Sequence, residues 1–146
     1  MIDIYMSGAK VTMEKVARFT TSPVGVFIYG LATAVIGIAL LLGFLSILFG
    51  PAALPPVLPA LAAFNGAAAG YGVIDKTRTA LAHEKLTLTC LAVLIALSGS
   101  LLLPLFCPWE PFMNGYRHLV CTAAALPFTF FGSWIARKSK HLKNNK

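Results

Sequence analysis

The chain has 146 residues, of which 58% are hydrophobic and 12% are charged, and its mean hydropathy is +0.78. A soluble domain of this length cannot bury so much apolar surface, so the composition excludes an ordinary water-soluble fold and predicts one membrane domain. The net charge of +7 lies mainly at the ends of apolar runs, without a nucleic-acid-binding motif, so we predict the lipid bilayer and not nucleic acid as a partner.

Residues 1–22 are predicted to form an amphipathic N-terminal segment. Ile2, Met6, Ala9, Met13 and Val16 recur at helical spacing, and charged residues lie between them. This pattern predicts a short helix on the cytoplasmic membrane surface, with a partly disordered N-terminus as the alternative.

Residues 23–136 are predicted to form a transmembrane domain of four helices. No charged residue occurs between positions 19 and 74, a stretch too long for one crossing, and the prolines of residues 50–59 predict a break within it. The predicted helices cover residues 24–49, 57–74, 86–106 and 117–136. We therefore expect an all-α fold in which the four helices form two hairpins of the same orientation.

The distribution of basic residues predicts the orientation of these helices. Of the 12 lysines and arginines, only Arg117 falls in a connection predicted to face outward. The others lie in the N-terminal segment, in the middle loop at residues 75–85 and in a basic tail at residues 137–146. The positive-inside rule then places both termini in the cytoplasm of a bacterial-type cytoplasmic (inner) membrane, and the tail is a candidate contact for anionic lipid.

The second predicted helix carries a face of small residues around one amide. Helical spacing places Ala62, Asn65, Gly66 and Ala69 on one side, with Gly70 at its margin. Gly66 and Gly70 have the GxxxG spacing that lets helix backbones approach closely. We predict that this helix is central, or that its small-residue face packs against a partner subunit or a second copy of the chain.

Asn65 also allows a different interpretation, because it is a polar residue near the middle of the membrane. An amide there can line a solute path, and Thr122 and Thr129 of the fourth helix are the candidates to continue that path. Interhelical hydrogen bonding is the commoner role of such a residue, so the path remains the alternative.

A second group of polar residues lies at the predicted outer end of the bundle. His118 and Cys121 are three residues apart on one helix face, and Cys107 ends the preceding helix. Thiol and imidazole groups can bind a soft metal, and Cys107 with Cys121 could instead form a disulfide. Buried cysteine is more often a small apolar residue, so we predict no metal and no cofactor, with these three residues as the low-ranked metal candidates.

These patterns predict a non-enzymatic protein, because no catalytic motif and no ionisable residue inside the membrane is found. The first hypothesis is an accessory, scaffold or assembly subunit of a larger membrane complex. The alternative is a small oligomeric channel or carrier for a small solute, with Asn65 in the path.

Overall fold

The computed structural model describes residues 2–77, 81–112 and 114–145, and all regular structure in those ranges is helical. The α-helices are α1 (Ile2–Thr21), α2 (Pro23–Phe49), α3 (Leu54–Lys76), α4 (Glu84–Phe106) and α5 (Gly115–Asn144), and a 3-10 helix at Pro51–Ala53 precedes α3. α2, α3, α4 and α5 are each long and apolar enough to cross a membrane. The predicted all-α class and four candidate membrane-crossing helices are therefore confirmed, as in a multi-pass membrane protein.

A serine–proline pair separates α1 from α2. The Ser22 hydroxyl accepts a hydrogen bond from the Gly25 amide at 3.0 Å, and Pro23 occupies the first helical position, where its missing N–H costs nothing. α1 adjoins α2 at Ser22, and its residues 8–18 are all exposed, among them Val11, Met13 and Val16. These apolar side chains therefore lie outside the helical core.

The break between α2 and α3 is shorter than the sequence predicts. α2 ends at Phe49 and is capped by Gly50, whose φ of +79° lies in the region that favours glycine. α3 begins at Leu54 instead of residue 57. Pro55 and Pro56 fall in the first turn of α3, where backbone N–H groups have no intrahelical partner in any case. Proline in this position starts the helix, which is why the predicted boundary was wrong.

α3 is the helix around which the others pack. It contacts α2, α4 and α5, and its contact with α5 is the most extensive in the molecule. In the most apolar 18-residue stretch of each candidate span, 56% of the residues are buried in the span that contains α3, but only 17% are buried in α2. α2 therefore lies at the periphery. This arrangement places the small-residue face of α3 inside the bundle.

α5 extends well beyond the predicted end at residue 136 and reaches Asn144. The Lys140 ammonium donates to the Thr77 carbonyl at 2.9 Å and also to the Ile74 carbonyl, both at the end of α3. Arg137 forms an ion pair with Glu84 at the start of α4. The first part of the predicted basic tail is therefore a helical extension of α5. It contacts the end of α3 and the start of α4, because lysine and arginine complement unpaired carbonyls and acidic helix starts.

Candidate functional site

The small-residue face of α3 packs directly against the backbone of α5. A Cβ atom at Gly66 would lie 2.7 Å from the Thr129 hydroxyl oxygen, and one at Gly70 would overlap the Thr129 carbonyl oxygen. In the reverse direction, a Cβ at Gly132 of α5 would overlap the carbonyl oxygen of Ala67. Glycine at these three positions therefore sets the distance between the two helices.

The small-residue face of α3 was predicted either to be central in the bundle or to bind a partner. Ala62, Asn65, Gly66, Ala69 and Gly70 are all buried within the chain. Because α5 already covers the glycine positions, a partner subunit has no access to them in this fold.

Asn65 lies between α3 and α2 and is 4% exposed. Its amide nitrogen donates to the Leu61 carbonyl at 2.9 Å within α3, and its amide oxygen lies against Gly37 of α2. The amide thus fills the space left by a glycine on the neighbouring helix. This position makes it a packing residue in the geometry observed.

The two threonines predicted to continue a solute path make their hydrogen bonds within α5. Thr129 is fully buried at the contact with α3 and donates to the Ala125 carbonyl at 2.8 Å. Thr122 donates to the His118 carbonyl at 2.8 Å. Each threonine hydroxyl thus bonds within α5, whereas the Asn65 amide lies against α2.

The Asn65–Gly37 contact predicts a pair of compensating substitutions. Gly37→Ala is expected to destabilise the protein by about 1–3 kcal/mol, because the new methyl group displaces the Asn65 amide from its position. In an Asn65→Ala background the same change is expected to cost much less. Thermal unfolding of the unaltered protein and the three variants in detergent measures the coupling, and equal effects of Gly37→Ala in both backgrounds would contradict the contact.

The low-ranked metal candidates Cys107, His118 and Cys121 do not form a cluster of three possible ligands. All three cysteines are free thiols, and the Cys107 thiol donates to the Pro51 carbonyl at 2.9 Å. Cys121 is buried between α4 and α5 beside Ser100. Across the residues that the structure describes, no three His, Cys, Asp or Glu side chains lie close enough to hold one ion. Within the described part of the chain, the disulfide considered as an alternative is therefore not formed either.

The environment of Cys107 predicts an alkaline shift in its reactivity. Burial raises the pKa of the Cys107 thiol, the Glu110 carboxylate raises the pKa further, and Arg117 opposes the change. The reactive thiolate is therefore scarcer at neutral pH than in an unfolded chain. We expect N-ethylmaleimide to label Cys107 more slowly in the folded protein, with the rate rising at higher pH. Mass spectrometry resolved by site measures this, and coincident pH profiles in the folded and unfolded chain would contradict it.

A large concave feature lies on the side of α3 and α5 that faces away from the core. It is a groove of about 710 Å³ whose lining residues are Pro59, Ala60, Ala63, Phe64, Ala67, Tyr71, Ala124, Phe128, Phe131, Gly132 and Ile135. Small residues form its floor and aromatic side chains form its walls. We refer to these residues as the α3/α5 groove.

Sequence reasoning missed the α3/α5 groove, although part of the signal is present. Ala63 and Ala67 have the same small-xxx-small spacing as Gly66 and Gly70, displaced around the helix. The other wall comes from α5, and the packing of α5 beside α3 cannot be derived from spacing within either helix. The groove therefore becomes visible only when both helices are in place.

The chain matches no known protein family, no curated protein and no solved structure. Its function is therefore inferred from the α3/α5 groove and from the way the polar side chains are used.

Proposed function

We propose that the protein is a non-enzymatic accessory subunit of a larger complex in a bacterial-type cytoplasmic membrane. In this proposal the α3/α5 groove binds one transmembrane helix of a partner subunit. The observation that carries the proposal is the groove itself, which is apolar, lies within the membrane-crossing helices and remains open while the glycine face of α3 is filled. Small residues flanked by bulky ones suit helix docking in lipid, where close packing drives association.

The length of the groove favours a helix over a lipid chain as its occupant. It runs along α3 from Pro59 to Tyr71, about 18 Å at 1.5 Å per residue. One leaflet of the hydrocarbon core is about 15 Å thick, half of the usual 30 Å. Because the groove is centred near the middle of α3, it extends across the midplane, where a phospholipid chain from one leaflet ends and a helix continues.

The chemistry of the lining defines the partner helix. Its contacting face should be apolar, with aliphatic side chains that fit between Phe64 and Phe128, because the groove offers no charged group. An aromatic side chain on the partner could also stack on Phe131, which already packs on Trp134 with ring centroids 5.9 Å apart. The partner is thus proposed to be a single apolar helix without charge at mid-membrane.

The proposed orientation follows from charge and not from the fold. Both termini are proposed to lie in the cytoplasm, so that Lys138 and Lys143 at the end of α5 meet the leaflet that carries anionic lipid. The Lys138 ammonium lies 5.4 Å from the centre of the Trp134 ring, a pairing suited to the membrane–water interface.

Filling the groove tests the proposed function. Ala60→Leu and Ala124→Leu place branched side chains in the groove at positions that are exposed or half-buried, so the fold should tolerate them. We expect both variants to lose a stoichiometric larger subunit that accompanies the unaltered protein through mild detergent extraction, as measured by native mass spectrometry. Ala68→Leu is the matched control, because Ala68 is an exposed residue of α3 outside the groove.

Three results would count against this proposal. Retention of the partner by both groove variants would remove the groove as the docking site. Loss of the partner in Ala68→Leu as well would indicate a general effect of added bulk on α3. A homo-oligomer without other subunits would favour the channel or carrier alternative.

A further inference from the structure

A small recess lies between α4 and α5, at the end of the bundle opposite to the helical extension. Its volume is about 90 Å³, and its lining residues are Leu97, Ser100, Phe112, Asn114, Gly115 and His118. It is separate from the α3/α5 groove, which shares none of these residues.

Two polar atoms beside this recess are buried without a hydrogen-bond partner in the protein. They are the Ser100 hydroxyl oxygen, on a residue that is 3% exposed, and the Nδ1 atom of His118. The Cys121 thiol lies beside the Ser100 hydroxyl and offers it at most the weak hydrogen bond of a sulfur atom. Neither the Ser100 hydroxyl nor Nδ1 of His118 therefore has a nitrogen or oxygen partner in the protein.

The serine hydroxyls at two other positions of α4 and α5 do have hydrogen-bond partners. Ser98 donates to the Ile95 carbonyl at 2.8 Å, and Ser133 donates to the Phe130 carbonyl at 2.7 Å. Serine in a transmembrane helix normally satisfies its hydroxyl in this way, on the preceding turn. Ser100 does not, so its hydroxyl is free to bond to something in the recess.

The size and charge of the recess restrict what it can bind. A recess of about 90 Å³ has room for a small number of water molecules, each of which takes about 30 Å³ in the liquid. The lining residues include no Lys, Arg, Asp or Glu side chain, and Arg117, next to His118 in the sequence, forms an ion pair with Glu110 at 2.7 Å. A serine hydroxyl and an imidazole nitrogen can each donate or accept, which suits a neutral ligand that does both.

We propose that the recess between α4 and α5 is a binding site for ordered water that bridges the Ser100 hydroxyl and Nδ1 of His118. The bound water satisfies both buried atoms and joins α4 to α5 through hydrogen bonds that neither helix makes alone. His118 is then a water-binding residue, in place of the metal ligand considered from its spacing to Cys121. This site is independent of the proposed docking function.

Solid-state NMR of the protein in deuterated lipid bilayers tests the proposal, because magnetisation transferred from water protons identifies hydrated side chains. In the unaltered protein we expect rapid transfer from water to Ser100 and to the His118 ring, and at least threefold slower transfer to Ser98. Ser98 is the matched control, since it is a serine of the same helix with a satisfied hydroxyl.

Variants test whether the same water cluster contacts both Ser100 and His118. Ser100→Ala is expected to reduce the transfer to the His118 ring and to shift its Nδ1 resonance, whereas Ser98→Ala leaves both unchanged. Transfer to Ser100 as slow as that to Ser98 in the unaltered protein would overturn the proposal without any variant. An unchanged His118 signal in folded Ser100→Ala would also overturn it, because one water cluster could not then bridge the two residues.

Discussion

Alanine in place of Gly70 or Gly132 is expected to separate α3 from α5 and to destabilise the protein by about 3 kcal/mol, the upper end of the usual cost of overpacking. The added methyl group at either position would overlap a backbone carbonyl oxygen of the facing helix. A side chain could rotate away from such a contact, but a backbone oxygen moves only with its helix. Because α3 and α5 make the most extensive contact in the molecule, their displacement disturbs the whole bundle.

Thermal unfolding in mild detergent measures this loss, and Gly72→Ala is the matched control. Gly72 lies on the same helix with open space where its Cβ would be. Alanine there is expected to be neutral or to stabilise α3 by about 0.5–1 kcal/mol, because glycine in a helix loses more conformational freedom on folding. If Gly70→Ala and Gly72→Ala unfold at the same temperature, the close packing of α3 on α5 is wrong.

Loss of the guanidinium group in Arg117→Met is expected to cost about 3 kcal/mol, the lower end of the range for breaking a buried ion pair. Arg117 is 8% exposed, and it donates to the Glu110 carboxylate at 2.7 Å and to the Pro111 carbonyl at 2.5 Å. Removing it leaves a carboxylate and a carbonyl unpaired in the connection between α4 and α5. The lower end of the range applies because Glu110 remains partly exposed, so water can solvate it.

A double-mutant cycle with Glu110→Gln isolates the ion pair from other effects of the substitution. We expect Arg117→Met to cost clearly less when Glu110 has already been neutralised. Arg117→Lys should be intermediate, since one ammonium group cannot reproduce the two directed contacts of the guanidinium. A loss below about 0.5 kcal/mol in Arg117→Met would mean that the pair acts like an ordinary surface ion pair.

Hydropathy was sufficient to predict the number of membrane-crossing helices and most of their bounds. The signal is strong because a helix in lipid needs about 20 apolar residues without charge. It failed at the start of α3, where prolines begin the helix, and at the end of α5, where charged residues continue it. A basic sequence alone does not distinguish a solvated tail from a helix whose Lys140 bonds to the end of α3.

The candidate site was less accessible to sequence reasoning, for a physical reason. GxxxG spacing at Gly66 and Gly70 indicates that a helix packs there, but it does not identify which helix. In the structure the facing helix is α5 of the same chain. Gly132 of α5 makes a third close contact with α3, and no pattern in the sequence links Gly132 to α3. The groove and the proposed water site both lie between two helices. They depend on which helices are neighbours, and the spacing of residues within one helix does not predict this.

The contact between α3 and α5 also has a consequence for biosynthesis. Lys140 and Ile74, which are bonded in the folded protein, are 66 residues apart, so α3 is complete long before its main packing partner is translated. At about 5–20 residues per second, that interval lasts about 3–13 s. During this time the glycine face of α3 lies uncovered in the lipid or against the insertion machinery. A chain arrested before residue 115 is therefore expected to present that face to membrane chaperones and proteases.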